Sequence, residues 1–312
     1  MIRRWERFWF EPVSPEIFGL LRIVLGAAGL ISVIGFLPVV MFWSPDGIAP
    51  VPGADGFRAF VLSSGFGSWA AWTLFLFLVA AFTCMTIGLF TRWSVAACFI
   101  GSVFQSHWNP LPLTSGHTVL VAVLFCIVWA DCGSRLSVDA WRRRNRSPLE
   151  EGALQPIWPI RLIQVQVAVV YATSGLFKLL GAAWRAGSAV HYTTTQNVYG
   201  RIFHVIALPA GLDWLFTLLT YTALFWELAF PLLVLWRRTR MLALVAGVAI
   251  HLGIWATMEV GPFTWVMIAS YAAFLDPSYV TRLVRRLPSP TLSVGPETKL
   301  LSDPDLLGAP RS

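Results

Sequence analysis

Charged side chains are scarce in this chain of 312 residues, making up 12% of it, whereas apolar side chains make up 56%. A soluble domain typically carries about 25% charged residues. The deficit excludes an ordinary soluble domain. It indicates an all-α, polytopic membrane helix bundle, because only helices or closed barrels can satisfy their backbone hydrogen bonds in lipid.

Lysine is almost absent, with two residues against 21 arginines. One of them, Lys178, falls within the apolar run 160–181, which is long enough to span a bilayer. An ionisable residue inside a membrane helix is costly and suggests a function. A lysine amine in a low-dielectric site can lose its proton and act as a base, whereas an arginine cannot. The alternative is an interface lysine whose amine reaches towards the headgroups.

Several familiar signatures are also missing. The chain has no Walker loop, nucleophile elbow, HExxH motif or Rossmann glycine set. Its four cysteines match no metal spacing and lie in or beside apolar runs, so we expect small buried side chains and no metal. The net charge of +7 comes from arginines between apolar runs, which favours membrane topology over nucleic-acid binding.

Eight apolar runs predict about eight transmembrane helices in a cell (inner) membrane. They are 16–40, 69–90, 93–108, 114–131, 160–181, 213–236, 241–258 and 261–276. Arginines precede the first run and follow the second, fourth, sixth and eighth, so the positive-inside rule predicts that both termini are cytoplasmic. We expect an interfacial helix at 1–12, a basic linker at 137–156 and a disordered cytoplasmic tail at 287–312.

Lys178 lies at the predicted outer, extracytoplasmic end of the fifth span, where further candidates converge. His117 opens the fourth span at the same level, and Tyr171 lies two turns deeper on the lysine's face. Gly175 leaves room for a ligand ring or a neighbouring helix. Beyond the span, 184–211 is expected to cap the bundle. It contains Trp184, His191 and Tyr192.

A second cluster is predicted nearer the cytoplasm. Arg22, Glu227 and His251 have similar estimated depths, and a buried carboxylate needs a partner. We expect an Arg22–Glu227 ion pair with His251 beside it, forming a structural polar layer. A proton relay or a quinone headgroup site is the sharper alternative for these residues.

The motif at 158–187 resembles a known family. The run WPIRLIQVQ at 158–166, leading into Tyr171, Gly175, Lys178 and Trp184, resembles the horizontally transferred transmembrane (HTTM) domain. That domain forms the membrane part of vitamin K-dependent gamma-glutamyl carboxylases. The resemblance covers about residues 5–285 and implies one HTTM-like domain over 1–286.

The resemblance implies a carboxylase-like lyase. Lys178 would be the base that deprotonates a reduced quinone (vitamin K hydroquinone or menaquinol), with His117 in support and with O2 and CO2 consumed. Residues expected to line the quinone site are Tyr171, Gly175, Trp184, His191 and Tyr192. Besides the lipid bilayer, a glutamate-containing peptide or a small-molecule substrate is the expected partner.

Two other classes of protein stay open. One is a non-catalytic membrane protein, resembling the sporulation-delaying protein B type, that aids the maturation or export of a secreted peptide. The other is a transporter that uses the layer of Arg22, Glu227 and His251. Lys178 favours the enzyme over the first of these, and the lack of an evident inverted repeat weakens the second.

Overall fold

A computed structural model of the chain describes residues 2–38, 40, 56, 59–60, 67–108, 113–146, 153–203, 211 and 213–286. These residues form an all-α bundle, as predicted. Its α-helices are α1 (Ile2–Phe10), α2 (Glu16–Gly35), α3 (Gly67–Ile87), α4 (Thr91–Trp108), α5 (Ser115–Ile127), α6 (Val138–Arg146), α7 (Trp158–Leu180), α8 (Ala182–Arg185), α9 (Ala189–Thr195), α10 (Asp213–Leu233), α11 (Arg237–Thr257), α12 (Phe263–Ser270) and α13 (Pro277–Arg286). A 3₁₀ helix, Tyr271–Phe274, continues α12. The short strands β1 (Pro12–Val13) and β2 (Gln155–Pro156) pair antiparallel.

Five helices are long and apolar enough to cross a membrane: α2, α3, α7, α10 and α11. The remaining three predicted spans correspond to α4, to α5 and to α12 with its 3₁₀ continuation, which are shorter or less apolar. All eight apolar runs are therefore helical. The count of eight crossings and the cytoplasmic position of the termini stay predictions.

Helix α2 is the central helix of the bundle. Its span is 61% buried, against 22–33% for the other four long helices. Two glycines let α3 approach it closely: a Cβ on Gly29 would lie 2.1 Å from the ring of Phe82, and one on Gly26 would lie 3.1 Å from Cα of Thr86. Close approach through small residues is typical of helix packing in membranes.

The segment 137–156, interpreted from sequence as a linker, contains α6 and β2. Asp139 anchors α6 to the start of α4, since its carboxylate accepts hydrogen bonds from the amides of Phe90 (3.1 Å) and Thr91 (2.7 Å). The turn between α3 and α4 requires Gly88, whose φ is +73°. A Cβ added to Gly88 would lie 2.8 Å from Cα of Ser137, just before α6. The described part of the basic segment is thus part of the fold.

The predicted cap consists, in its described part, of α8 and α9 packed along α10. The hydroxyl of Tyr221 donates to the carbonyl of Arg185 at 2.8 Å, and the amide of Val190 donates to Oγ1 of Thr220 at 3.1 Å. Residues 204–210 of this segment lie outside the described residues, as do most of 41–66 and the whole predicted tail 287–312.

The N-terminal segment is helical, as expected. Helix α1 exposes Trp5 and Phe10 (65% and 61%). It is attached to α7 by Arg161, which donates to the carbonyl of Phe8 at 3.2 Å and lies 4.7 Å from the centre of its ring. Its location at the membrane surface stays a prediction.

The four cysteines are free thiols, and three of them are buried. The interpretation as small interior side chains is confirmed for Cys98, Cys126 and Cys132, whereas Cys84 is half-buried.

Candidate active site

Lys178 forms an ion pair with Glu227 inside the bundle. Its Nζ donates to Oε1 of the carboxylate, and Oε2 accepts a hydrogen bond of 3.0 Å from the hydroxyl of Ser174. Ser174 and Lys178 lie one turn apart on α7, whereas Glu227 lies on α10. The lysine side chain is 27% exposed and that of the glutamate 14%. The pair therefore bridges two long helices while keeping limited access to the surroundings.

Trp184 covers the lysine amine. Nζ of Lys178 lies 4.7 Å from the centre of the indole ring, a distance typical of a cation–π contact. Trp184 belongs to α8, which begins directly after the end of α7. Trp184, His191 and Tyr192 were expected near the lysine beyond its span, and Trp184 contacts the amine itself.

The ion pair lies deeper in the bundle than the sequence suggests. Lys178 is close to the end of α7, but Glu227 is fourteen residues into α10, or about 20 Å at 1.5 Å per residue. Helix α10 must therefore extend well past the end of α7. Helices α8 and α9 occupy the space beside it, so the end of α7 is not the end of the bundle. The amine points to a carboxylate, in contrast to the interface-lysine alternative.

Tyr171 belongs to a polar cluster in the core that also contains His251 and Tyr271. Its hydroxyl lies 2.6 Å from Nε2 of His251 and is also hydrogen-bonded to the hydroxyl of Tyr271. All three side chains are buried, and the Tyr171 ring packs on Phe230 with centroids 4.1 Å apart. The Tyr171 hydroxyl thus has two hydrogen-bond partners within this cluster.

The predicted ion pair of Arg22 with Glu227 is wrong, whereas the expected position of His251 beside Glu227 stays a prediction. Arg22 is fully buried, and its guanidinium donates only to backbone carbonyls among the described residues. The acceptors are Met85 (2.5 Å), Thr86 (2.6 Å), Cys132 (3.1 Å) and Leu136. The last turn of α3 leaves carbonyls without helical partners, and a buried arginine satisfies them. A similar depth was not sufficient to predict an ion pair, because depth does not specify which way each side chain faces.

His117 lies where α5 packs against α4. Its Nε2 is 2.9 Å from the hydroxyl of Ser106 and 3.1 Å from the carbonyl of Ser102. The side chain is buried, so these two groups satisfy a nitrogen that water would otherwise solvate. Proximity of His117 to Lys178 stays a prediction.

The other expected lining residues have different surroundings. A Cβ on Gly175 would lie 2.9 Å from Cδ2 of Leu228 and 3.2 Å from its amide nitrogen, so the space beside this glycine is filled by α10 and not by a ligand. The ring of His191 packs edge-on against Phe216, with centroids 5.2 Å apart. Tyr192 is 61% exposed.

A family model for the HTTM domain matches residues 10–279. The chain belongs to the HTTM domain family. The resemblance seen in the motif around Lys178 is thereby confirmed, and five long apolar helices make the HTTM protein an integral, multi-pass membrane protein. Comparison with curated proteins and with solved structures yields no match.

Sequence reasoning missed two members of these clusters, Ser174 and Tyr271, as well as the partner of Lys178. Ser174 precedes the lysine by four positions, which places it on the same helix face and could have identified it. Tyr271 lies in a short apolar run whose pattern carries no signal for the contact with Tyr171. Only the packing of the 3₁₀ helix brings the two hydroxyls together.

Proposed function

We propose that the HTTM protein is a carboxylase-like membrane enzyme in which Lys178 acts as a base towards a reduced quinone. The observation that carries the proposal is the ion pair of Lys178 with Glu227 within the bundle, beneath the indole of Trp184. Intramembrane ionisable residues that pair with each other commonly mark proton pathways.

An amine and a carboxylate held together can pass a proton between them. Glu227 would accept the proton of Lys178 and leave a free amine as the base. Ser174 holds the carboxylate through its hydroxyl, and Trp184 shields the amine from water on one side.

The residues present fit a quinone headgroup. Lys178 and Glu227 offer a donor and an acceptor to a ring hydroxyl, and the exposed Phe177 and Leu180 on the same helix provide an apolar approach from the lipid. A bound reduced quinone would supply the reducing equivalents with which O2 is activated, so that a substrate glutamate can be deprotonated and take up CO2. The active site would face the extracytoplasmic side.

The proposal is tested with the full chain reconstituted in lipid nanodiscs. The assay supplies menaquinol or vitamin K hydroquinone, O2, a short glutamate-containing peptide and radiolabelled bicarbonate, and it measures label in the peptide. We expect incorporation by the wild type and at least a hundredfold loss for Lys178→Arg, because removing a general base typically costs 10²–10⁴ in rate.

The controls separate chemistry from folding. Lys178→Arg keeps a cation beside Glu227, so its thermal unfolding midpoint should match that of the wild type. Arg238→Lys, at the junction of α10 and α11, is a matched cation exchange away from the site and should keep full activity. Activity of Lys178→Arg equal to the wild type would overturn the proposal. It would favour a non-catalytic role in peptide maturation or export, or a transporter.

A further inference from the structure

A large cavity lies at the basic end of the bundle, away from Lys178. Its volume is about 740 Å³, within the range of small-ligand sites. It is lined by the turn after α3, the start of α4, the residues after α5, and α6. This is the end of the molecule that also carries the arginines of α1, α6 and α13, which the positive-inside rule assigns to the cytoplasm.

Three arginines line the cavity: Arg92, Arg142 and Arg143. Arg143 donates to the carbonyl of Gly133 at 2.6 Å, whereas the guanidinium of Arg142 lies 6.0 Å from the centre of the Phe90 ring. Neither Arg92 nor Arg142 forms a hydrogen bond or ion pair with the described part of the chain. Among the described residues, both guanidinium groups therefore keep their hydrogen-bonding capacity for a ligand, and a guanidinium group is well suited to a phosphate.

The acidic residues of the cavity are already committed to the backbone. Asp139 accepts hydrogen bonds from the amides of Phe90 and Thr91 and from the Thr91 hydroxyl, and Asp131 accepts one of 3.2 Å from the amide of Gly133. Asp139 thereby occupies the N-terminus of α4, which would otherwise attract an anion. A phosphate in the cavity would be held by arginine side chains.

Exposed aromatic rings border the same cavity. Trp93 is 76% exposed and Trp129 is 60% exposed, and both contribute to its lining. Tryptophan is enriched where a membrane protein meets the headgroup layer. Because arginines and exposed indoles share one cavity, an occupant with an anionic head and an apolar body would contact both.

We propose that this cavity binds the headgroup of an anionic phospholipid from the leaflet at the basic end. Arg92 and Arg142 contact the phosphate, and Trp93 and Trp129 lie against the beginning of the acyl chains. Basic pockets between membrane helices on the cytoplasmic side commonly hold such headgroups. The inference is independent of the function proposed for Lys178.

Native mass spectrometry of the full chain in detergent tests the site, with phosphatidylglycerol as the probe and phosphatidylcholine as the neutral reference. Each arginine near an anionic headgroup contributes about a fivefold factor to binding. We expect Arg92→Gln to weaken phosphatidylglycerol binding about fivefold, and Arg92→Gln with Arg142→Gln about 25-fold. Phosphatidylcholine binding should not change.

The control is Arg144→Gln with Arg286→Gln, which removes the same charge from exposed arginines outside the cavity. It should keep phosphatidylglycerol binding. Equal losses in the two double variants would mean diffuse attraction and would overturn the site. Should the double variant misfold, the single Arg92→Gln is compared with Arg144→Gln by the same criterion.

Inorganic phosphate is the second probe. We expect it to displace phosphatidylglycerol weakly, because it lacks the apolar part that the tryptophans contact. Binding of inorganic phosphate as tight as that of the lipid would assign the cavity to a soluble phosphorylated ligand and overturn the lipid proposal.

Discussion

Removing either Lys178 or Glu227 leaves the charge of the other residue unpaired inside the bundle. Breaking a fully buried pair costs about 3–5 kcal/mol, and this pair is partly exposed. We therefore expect Lys178→Met and Glu227→Gln each to lower the free energy of unfolding by about 1–3 kcal/mol. The double variant should lose less than the sum of the two, as measured by unfolding in detergent.

The exposed pair of Arg201 with Glu259 is the matched control, since its side chains are 33% and 60% exposed. A double-mutant cycle at Arg201 and Glu259 should give a coupling energy below about 1 kcal/mol. Additive losses at Lys178 and Glu227 would mean that the two groups do not interact in the bilayer.

Arg22 is a second single residue on which stability depends, because its guanidinium donates hydrogen bonds to two chain segments. Arg22→Met leaves the carbonyls of Thr86, Cys132 and Leu136 without this donor, and each unsatisfied buried group costs about 1–3 kcal/mol. The Met85 carbonyl keeps a hydrogen bond of 3.2 Å from the amide of Gly88. We expect a loss of at least about 3 kcal/mol, visible as a lower thermal midpoint and poor yield. Arg22→Lys should rescue little, because an ammonium cannot reach four carbonyls.

The Arg22→Met variant also tests whether Glu227 pairs with Lys178, as in the structure, or with Arg22, as depth predicted. Arg22→Met combined with Glu227→Gln should be additive within about 0.5 kcal/mol, because the residues share no partner. A strong coupling between them would restore the ion pair predicted from depth alone.

Among the elements, the contact between α7 and α10 depends on Gly175. A side chain there would collide with Leu228 of α10, and overpacking costs about 1–3 kcal/mol. We expect Gly175→Val to destabilise the protein and to reduce any activity of Lys178, because the separation of the helices also separates the lysine from Glu227. Thermal unfolding and the carboxylation assay measure the two effects.

Gly253 in α11 is the control for this substitution, because a Cβ there would meet nothing within 4 Å. Gly253→Ala should be neutral or slightly stabilising, since alanine is the better helix former. Partial rescue of Gly175→Val by Leu228→Ala is also expected. Full stability of Gly175→Val would show that α7 and α10 are not in close contact.

Helix α6 is attached to α4 in a way that should depend on pH. Burial alone would raise the pKa of Asp139, but hydrogen bonds from Thr91 and Phe90 and the charge of Arg143 outweigh it and hold the pKa below the ordinary value of 3.8. A depressed pKa contributes stability that is present above the unfolded value and is lost as the pH falls through the folded value.

We therefore expect the thermal midpoint of Asp139→Asn to lie below that of the wild type at neutral pH. The difference should stay constant down to about pH 5 and close as the solution is acidified below 3.8. Thr91→Ala, which removes one of the three hydrogen bonds, should give a smaller difference of the same sign. A difference that widens with acidification would contradict this role of Asp139.

For the molecule as a whole, the arginine distribution predicts the orientation in the membrane. Reporter fusions at Gly152, Arg238 and Ser312 should give a cytoplasmic signal, and fusions at Gly53 and Asn197 an extracytoplasmic one. The fusion at Asn197 is decisive, because it follows the helices that pack beside Lys178. A cytoplasmic signal there would place the lysine on the opposite side and remove the outer-face site.

The sequence by itself determined the class of fold and the family, and it singled out Lys178 as a candidate. Long apolar runs must become helices in lipid, so all eight were identified, and a lysine inside such a run, in a chain that otherwise uses arginine, pointed to the residue whose partner lies within the bundle. These conclusions depend on composition and on local pattern, which the chain carries without reference to its packing.

The tertiary structure alone decided which polar groups meet. Arg22 and Glu227 have similar depths by counting residues, yet one satisfies carbonyls of α3 and the other pairs with Lys178. Counting residues failed to predict these partners because α10 continues past the end of α7. Helices α8 and α9 pack beside this extension of α10. Contacts between helices depend on axial offset and on the direction in which each side chain faces, and neither is encoded in the spacing within a single helix.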